Sequence, residues 1–521
     1  MAEKGVVLKK ITRNQIALLF YFALISFAVL LFATRSSFLY PMNNWDDSNS
    51  YFTMGKSMFR GIMIYRDIFD QKGPYLYLIY GLASLISRTT FTGVFLFEIL
   101  FGILDLAGFY RILRLQLRKR TALILLPFLF AVTFSSFSFY WGGCAEEFCL
   151  PALVWTLYLL LSRLQNTHRA PFSCQEILTA GLLCGYVACV KFTLLGFFFA
   201  FMLMVLFLSG SLVRFLKSCG VFLLGMGLPV VPWLIYFGIH GALSDWYHVY
   251  IYTNVFLYST FGAASKGESA GQKIYALSKI LYWLFFDNFQ YFIFIAAGML
   301  FMLLRRGADL LQRLTVPLLF GFTFLGIYIG GAHLPYYAFP LTVFAVFGFI
   351  ALGLLLEAVI GKVRRARTNI ETPSALRGRS AATVLCCFAA AALSSLIVYA
   401  LSPNSYYLSY TKDDVFLTRF ARDILEDSGT EHTLLNYNCL DCGLYTAADI
   451  NPTCYWFQTQ TLAIPDVFDE QHRYIREGRT GFVVCRDDYP DFITDHYEMI
   501  DQFHQVMGDT QHDYYLFRKV R

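Results

Sequence analysis

Charge is scarce in this chain: only 15% of its 521 residues are Asp, Glu, Lys or Arg, while 57% are hydrophobic. A soluble globular domain carries about 25% charged residues, so a single soluble domain is excluded. Intrinsic disorder needs low hydrophobicity and high net charge, and is excluded by the same figures. No Gly-rich phosphate loop, His-Glu-x-x-His pair or nucleotide-binding fingerprint stands in a suitable context. A soluble nucleotide-sugar enzyme is therefore unsupported. No convincing internal repeat appears, although transporters often carry one. Cys439-x-x-Cys442 lacks the second pair, or the His pair, that a zinc site needs. The net charge of +6 says little, because in a membrane protein the position of each basic residue matters more than the sum. Nothing in the chain calls for nucleic acid.

What the chain does have is long apolar runs, many reaching the roughly 20 residues that cross a bilayer. The first, 16–34, follows the basic residues Lys4, Lys9, Lys10 and Arg13. It is too long and too rich in Phe for a cleaved signal peptide. Its basic head predicts a cytoplasmic N-terminus. Ten further segments follow, at 91–110, 121–138, 148–162, 176–190, 192–210, 219–239, 281–304, 314–330, 336–358 and 381–401. Eleven spans in alternation put Arg111, Arg114, Arg118, Lys119, Arg120, Arg163, Arg169, Arg214, Lys217, Arg305, Arg306, Arg313 and the run 362–379 inside. The apolar stretch 74–87 has only 14 residues and reads as a juxtamembrane helix. Counted as a span, it would turn the run 111–120 outward.

From about Ser402 the composition changes: 20 Asp and Glu lie between Asp413 and Asp513, against 10 Lys and Arg from Lys412 to the end. Residues 413–427 and 466–477 read as helices, and 433–437 and 481–485 as short strands. The expectation is an all-α polytopic membrane domain over 1–401, with a small extracytoplasmic α/β domain over 402–521. Cys439, Cys442, Cys454 and Cys485 fall in that outer domain, as disulfides or as free thiols.

The outer loops carry the chemistry. Loop one holds Asp46, Asp47, Asp67 and Asp70 together with Lys56, Arg60, Arg66 and Lys72. Segment 48–59 is amphipathic, with Gly61 placed to end it. Glu146 and Glu147 open another span, and Lys191, His333 and Tyr336 fall at outer boundaries in this topology. Acid, base and cation thus collect on one membrane face. Transfer of a group from a lipid phosphate needs a carboxylate to take the acceptor's proton and cations to hold the departing phosphate. Trp45, Tyr51, Tyr75 and Trp141 can stack on a sugar or anchor the interface.

The stretch WDDSNSYFTMGKSMFRGIMIYRDIFDQKGPYLYLIYG resembles the first outer loop of the GT-C glycosyltransferases, in the bacterial branch related to protein O-mannosyltransferases and lipid A aminoarabinose transferases. In that family an acid follows span one, then a Gly-x-x-x-Tyr-x-Asp stretch, then a Lys-Gly-Pro or Lys-Pro-Pro turn. Here Asp47, the run 61–67 and Lys72-Gly73-Pro74 occupy those places. The resemblance implies a polyprenyl-phosphate-linked sugar donor, inverting transfer and an active site on the outer face. The acceptor would be a glycan, lipid or protein. It implies Asp47, or its neighbour Asp46, as base, with Lys72, Arg60 and Arg66 at the donor phosphate. The second-loop acid falls on Glu146 or Glu147. Some members use a divalent cation and others none, so no metal is assigned.

Each residue has a plainer competing role. The Asp pair can cap a helix, the Glu pair can open a span, and Lys72 can snorkel. Arg60 and Arg66 can bind lipid headgroups, Lys191 can anchor the interface, and His333 can be a satisfied histidine. The rival functions are a transporter or flippase for lipid-linked sugars, and a non-catalytic scaffold.

Overall fold

The computed structural model describes residues 12–165, 171–257, 269–331, 333–366, 373–460 and 464–520. Lys4, Lys9, Lys10, Arg169 and residues 367–372 of the basic run 362–379 lie outside the described residues. Among the described residues six helices are long and apolar enough to cross a membrane: Arg13–Ala33, Thr92–Gln116, Ala145–Leu164, Leu310–Tyr328, Pro335–Lys362 and Ala381–Leu401. Lipid-facing positions such as Phe20, Leu223, Leu300 and Leu385 leave large apolar side chains exposed, as a hydrocarbon surround allows. The protein is integral to the membrane.

The expected eleven spans are not reproduced as eleven straight crossings. Three of the expected segments form helices shorter than a span: Lys119–Phe134, Cys174–Ala188 and Phe192–Leu208. Two others are bent pairs, which would bring the count to eight. The expected span 281–304 turns by 113° between Ala270–Asp287 and Phe289–Leu304. Asn288 causes the corner. It caps one helix and opens the next, and its Oδ1 accepts from the Ser138 N–H at 2.9 Å.

Helix starts follow local chemistry. Thr12, Ser173, Ser269 and Asp309 each form a capping box with a Gln or Glu three residues on, satisfying donors that an apolar helix cannot leave bare. The juxtamembrane helix Pro74–Ser84 starts on proline, whose missing N–H costs nothing there.

After the last apolar helix, a four-stranded sheet runs in the order β1-β2-β4-β3, from β1 (Leu434–Tyr437), β2 (Phe482–Arg486), β3 (Tyr497–Met507) and β4 (Thr510–Lys519). β1 and β2 are parallel and the other pairs antiparallel. The expected strands and the helices Phe416–Glu426 and Pro465–Arg476 all form. The hairpin β3–β4 was not anticipated: a register shift between Met499 and Asp501 breaks its period-two pattern.

This region covers the loop-one helix Asp46–Phe59, which is buried from Ser48 to Ser57. The helix therefore does not lie on lipid headgroups. Its polar face, spaced three and four residues apart, meets the C-terminal region. Ser50 Oγ donates to Gln458 at 2.5 Å and Thr53 Oγ1 to Asp441 at 2.6 Å. Lys56 Nζ donates to the Tyr445 carbonyl at 2.8 Å, and Arg60 reaches Asp449 at 2.6 Å and Asn451 at 2.8 Å. Gly55 lies against the backbone of the helix Pro74–Ser84, where an added Cβ would sit 2.5 Å from Gly81 N.

Burial raises the Asp441 pKa from 3.8 to about 6, against the opposing hydrogen bonds from Thr53 and Gly443. A raised carboxyl contributes stability that is present below 3.8 and lost as the pH passes about 6. Relative to wild type, Asp441→Asn should lose the part of the stability that changes across that window, about 3 kcal/mol. Thermal unfolding in detergent at pH 4 and pH 7 checks this; equal pH responses in both proteins would refute it.

Candidate active site

The first loop returns to the membrane through a clamp on Lys72. Tyr65 holds φ at +71°, a strain on the order of 1–3 kcal/mol for a bulky residue. In that conformation its N–H bonds the Ile68 carbonyl, and its buried hydroxyl donates to the Lys72 carbonyl at 2.7 Å. The Lys72 N–H donates to Tyr77 Oη at 2.9 Å, and Tyr77 donates on to Asp70 at 2.7 Å. Asp67 folds the preceding turn by accepting from the Met63 N–H at 2.9 Å. Gly73 is required, since a Cβ there would meet the Cys189 carbonyl oxygen at 2.1 Å. The Gly-x-x-x-Tyr-x-Asp stretch and the Lys-Gly-Pro turn are thus one device for aiming one ammonium group.

That ammonium lies 3.9 Å from Asp47 Oδ2. The same oxygen accepts from Tyr336 Oη at 2.8 Å and from Tyr51 Oη at 3.1 Å, leaving Oδ1 free of protein donors among the described residues. Burial alone would lower the Lys72 pKa, but Asp47 and Asp70 outweigh it and hold it above the usual lysine value. Burial raises Asp70, with Lys72 opposing. Lys191 sits 2.9 Å from Glu146 Oε1 and 4.1 Å from the centre of the Tyr337 ring. Trp45 stacks on Trp141 at 5.2 Å and meets Tyr336 edge to face at 4.9 Å.

The two loop acids divide. Asp46 is held by Arg486 of β2 at 2.9 Å; burial raises its pKa and Arg486 works against that rise. Asp47 faces Lys72 and Tyr336. The two glutamates divide as well. Glu146 pairs with Lys191, while Glu147 accepts from the Gly143 N–H at 2.9 Å, a buried structural contact.

The structure therefore brings together Asp47, Lys72, Glu146, Lys191 and Tyr336. It does not bring Arg60, which is tied to Asp449, or Arg66, which is half-exposed and paired with Asp67. His333 is exposed, with its ring 6.0 Å from Tyr328. Asp70, Tyr337 and Arg486 were not anticipated at the site. Asp70 and Tyr337 had a local signal in their neighbours Lys72 and Tyr336; Arg486, 440 residues from its partner, had none.

A cavity of about 330 Å³ opens beside the cluster, with Gln71, Lys72 and Lys191 at its polar end. Its other walls include Val190, Phe192, Ile327 and Ile329, with Gly196 and Gly326 widening it. Such a shape suits an amphiphile with an anionic head. Among the described residues no three His, Cys, Asp or Glu side chains converge to hold a metal ion. Cys439, Cys442, Cys454 and Cys485 are free thiols, and Asn436 bonds both Cys439 and Cys442.

No family model matches the sequence, and no curated protein does. Among solved structures, an oligosaccharyltransferase from Archaeoglobus fulgidus, tethered with an acceptor peptide, aligns with 90% of this chain and 68% of its own, at 14% identity and a TM-score of 0.47. ArnT from Cupriavidus metallidurans in the apo state matches 96% of this chain and 98% of its own, at 13% identity and a TM-score of 0.60. The same protein bound to undecaprenyl phosphate matches 97% and 98%, at 12% identity and a TM-score of 0.62. Over nearly its whole length, this chain has the fold of ArnT.

Proposed function

We propose that this protein is an integral-membrane glycosyltransferase that moves a sugar from a polyprenyl-phosphate-linked donor to an acceptor hydroxyl outside the cytoplasm, with inversion. The observation that carries the reading is the Asp47–Lys72 pair, whose lysine lines, with Lys191, a cavity that also has apolar walls. The fold shared with ArnT, which was solved with undecaprenyl phosphate bound, supports the donor class. The basic residues Arg111 to Arg120, Arg214 and Lys217 support an N-terminus inside and a site outside. We assign 1–401 to the membrane domain and 402–521 to the extracytoplasmic α/β domain.

Asp47 accepts the proton of the acceptor hydroxyl through Oδ1 as that oxygen attacks the anomeric carbon. The bond to the phosphate oxygen breaks on the opposite side, and a single displacement inverts the centre. Lys72 holds the departing polyprenyl phosphate, with Lys191 as a second point charge. Glu146 pairs with Lys191 and offers its Oε2, unpartnered among the described residues, to a substrate hydroxyl. Tyr336 and Tyr51 fix the carboxylate plane of Asp47. Trp45 presents an aromatic wall to the sugar.

Asp47→Asn should lower turnover roughly 10²–10⁴-fold, while Asp46→Asn, which loosens only the contact with Arg486, should cost less than about tenfold. Mass spectrometry of polyprenyl-phosphate sugars in membranes, at equal protein levels, should show a sugar-lipid that accumulates in the Asp47→Asn cells alone. Wild-type turnover in purified Asp47→Asn protein would remove the base, and a deeper loss in Asp46→Asn would exchange the two roles.

Lys72→Met should lose roughly 10²-fold or more in turnover, and Lys191→Met should chiefly raise KM for the donor. A Lys72→Met enzyme with unchanged turnover would sink the assignment of that ammonium to the leaving group.

A further inference from the structure

A second cavity, of about 610 Å³, lies on a different face of the loop-one assembly, between the start of the first loop, the 89–92 turn and the helix Phe416–Glu426. The helix Arg13–Ala33 ends beside it and Thr92–Gln116 begins there, so it sits at the membrane boundary on the Asp47 side. Arg35 lines it and is 2% exposed. Its Nε donates to Asn404 at 2.8 Å and its Nη1 to Asn44 at 2.6 Å. The guanidinium carbon lies 3.5 Å from the centre of the Tyr407 ring and 4.7 Å from that of Tyr140. Nη2 has no hydrogen-bond partner among the described residues.

Every partner of Arg35 is neutral. Among the described residues no carboxylate stands within ion-pair distance of it, whereas the buried Lys56 has Asp449 and the largely covered Lys191 has Glu146. Burying a cation without a counter-charge is costly, and aromatic faces offset only part of that cost. Lys412 and Arg422 line the same cavity, Arg422 within 4.0 Å of Asp423, and the one lining carboxylate is Glu426. Phe38 and Leu425 line it too, 61% and 54% exposed. The lining is thus three cations against one acid, with bulky apolar surface beside them at the membrane edge.

We propose that this cavity binds the headgroup of an anionic amphiphile from the leaflet on the Asp47 side. A phosphate-type group faces Arg35, Lys412 and Arg422, and its apolar body lies along Phe38 and Leu425. The proposal needs no transfer chemistry and stands apart from the donor cavity at Lys72. It also gives the ligand a route to the active site, because Arg35 holds Asn44, three residues before Asp47.

The test is calorimetric binding to the purified full chain in neutral detergent, with dihexanoyl-phosphatidic acid, dihexanoyl-phosphatidylcholine and inorganic phosphate as probes. Phosphatidic acid should bind and phosphatidylcholine should not. The exposed double variant Lys412→Glu/Arg422→Glu should weaken binding roughly tenfold or more at an unchanged unfolding midpoint. Arg35→Gln should abolish binding where it folds; the double variant carries the test where it does not. Inorganic phosphate binding as tightly as phosphatidic acid would keep the anion site but overturn the amphiphile. Absence of phosphatidic acid binding in folded wild type, or equal binding in the double variant, would overturn the site and leave Arg35 a structural tether.

Discussion

The arrangement of the first loop depends on keeping one lysine charged and aimed where water is scarce. An ammonium taken from water into a protein tends to lose its proton. Lys72 keeps its own because Asp47 and Asp70 flank it. Those two acids are held in turn by Tyr336, Tyr51 and Tyr77. The left-handed Tyr65, the close approach at Gly73 and the proline that opens the next helix all fix the backbone on which this lysine stands. Strain at Tyr65 has a counterpart in the hydrogen bond from its hydroxyl to the Lys72 carbonyl.

The C-terminal region supplies the other half of that rigidity. It grips the loop-one helix at Asp46, Ser50, Thr53, Lys56 and Arg60. A net hydrogen bond is worth about 0.5–1.5 kcal/mol, more where a charge takes part, so the set is strong as a group though no member is. Its effect on the site is geometric. With Asp46 turned toward Arg486, its neighbour Asp47 projects toward Lys72. Adjacent helical residues point about 100° apart, and the two acids use that divergence to serve two partners.

Much of this was legible in the sequence where the signal was local. Asp47, the run 61–67 and Lys72-Gly73-Pro74 lie within 28 residues, and the spacing carries the resemblance by itself. Apolar runs revealed the helices, but run length could not reveal the corner at Asn288, because a bend depends on one side chain finding Ser138 across the fold. Arg60 and Arg66 looked like phosphate ligands since they are cations in the right loop. Which carboxylate a cation meets is decided by tertiary contacts, and Asp449 lies 389 residues away from Arg60. Arg486 escaped notice for the same reason. Cys439 and Cys442 could not be read as paired or free, because spacing fixes neither thiol geometry nor redox compartment.

The proposed transfer explains why base and phosphate ligand stand in contact. Two unit charges about 4 Å apart interact by roughly 4 kcal/mol at an effective dielectric constant of 20, so Asp47 and Lys72 hold each other in the resting site. As Asp47 takes the acceptor's proton it becomes neutral, and its claim on Lys72 disappears. At the same moment the departing phosphate gains a negative charge. Lys72 can then turn its full charge to the leaving group without any acid being removed from the site. The pair works as an exchange: the proton that activates the acceptor also frees the cation that stabilises the leaving group. A site with the same residues farther apart would lose this coupling, because a distant carboxylate would neither hold Lys72 before transfer nor release it during transfer.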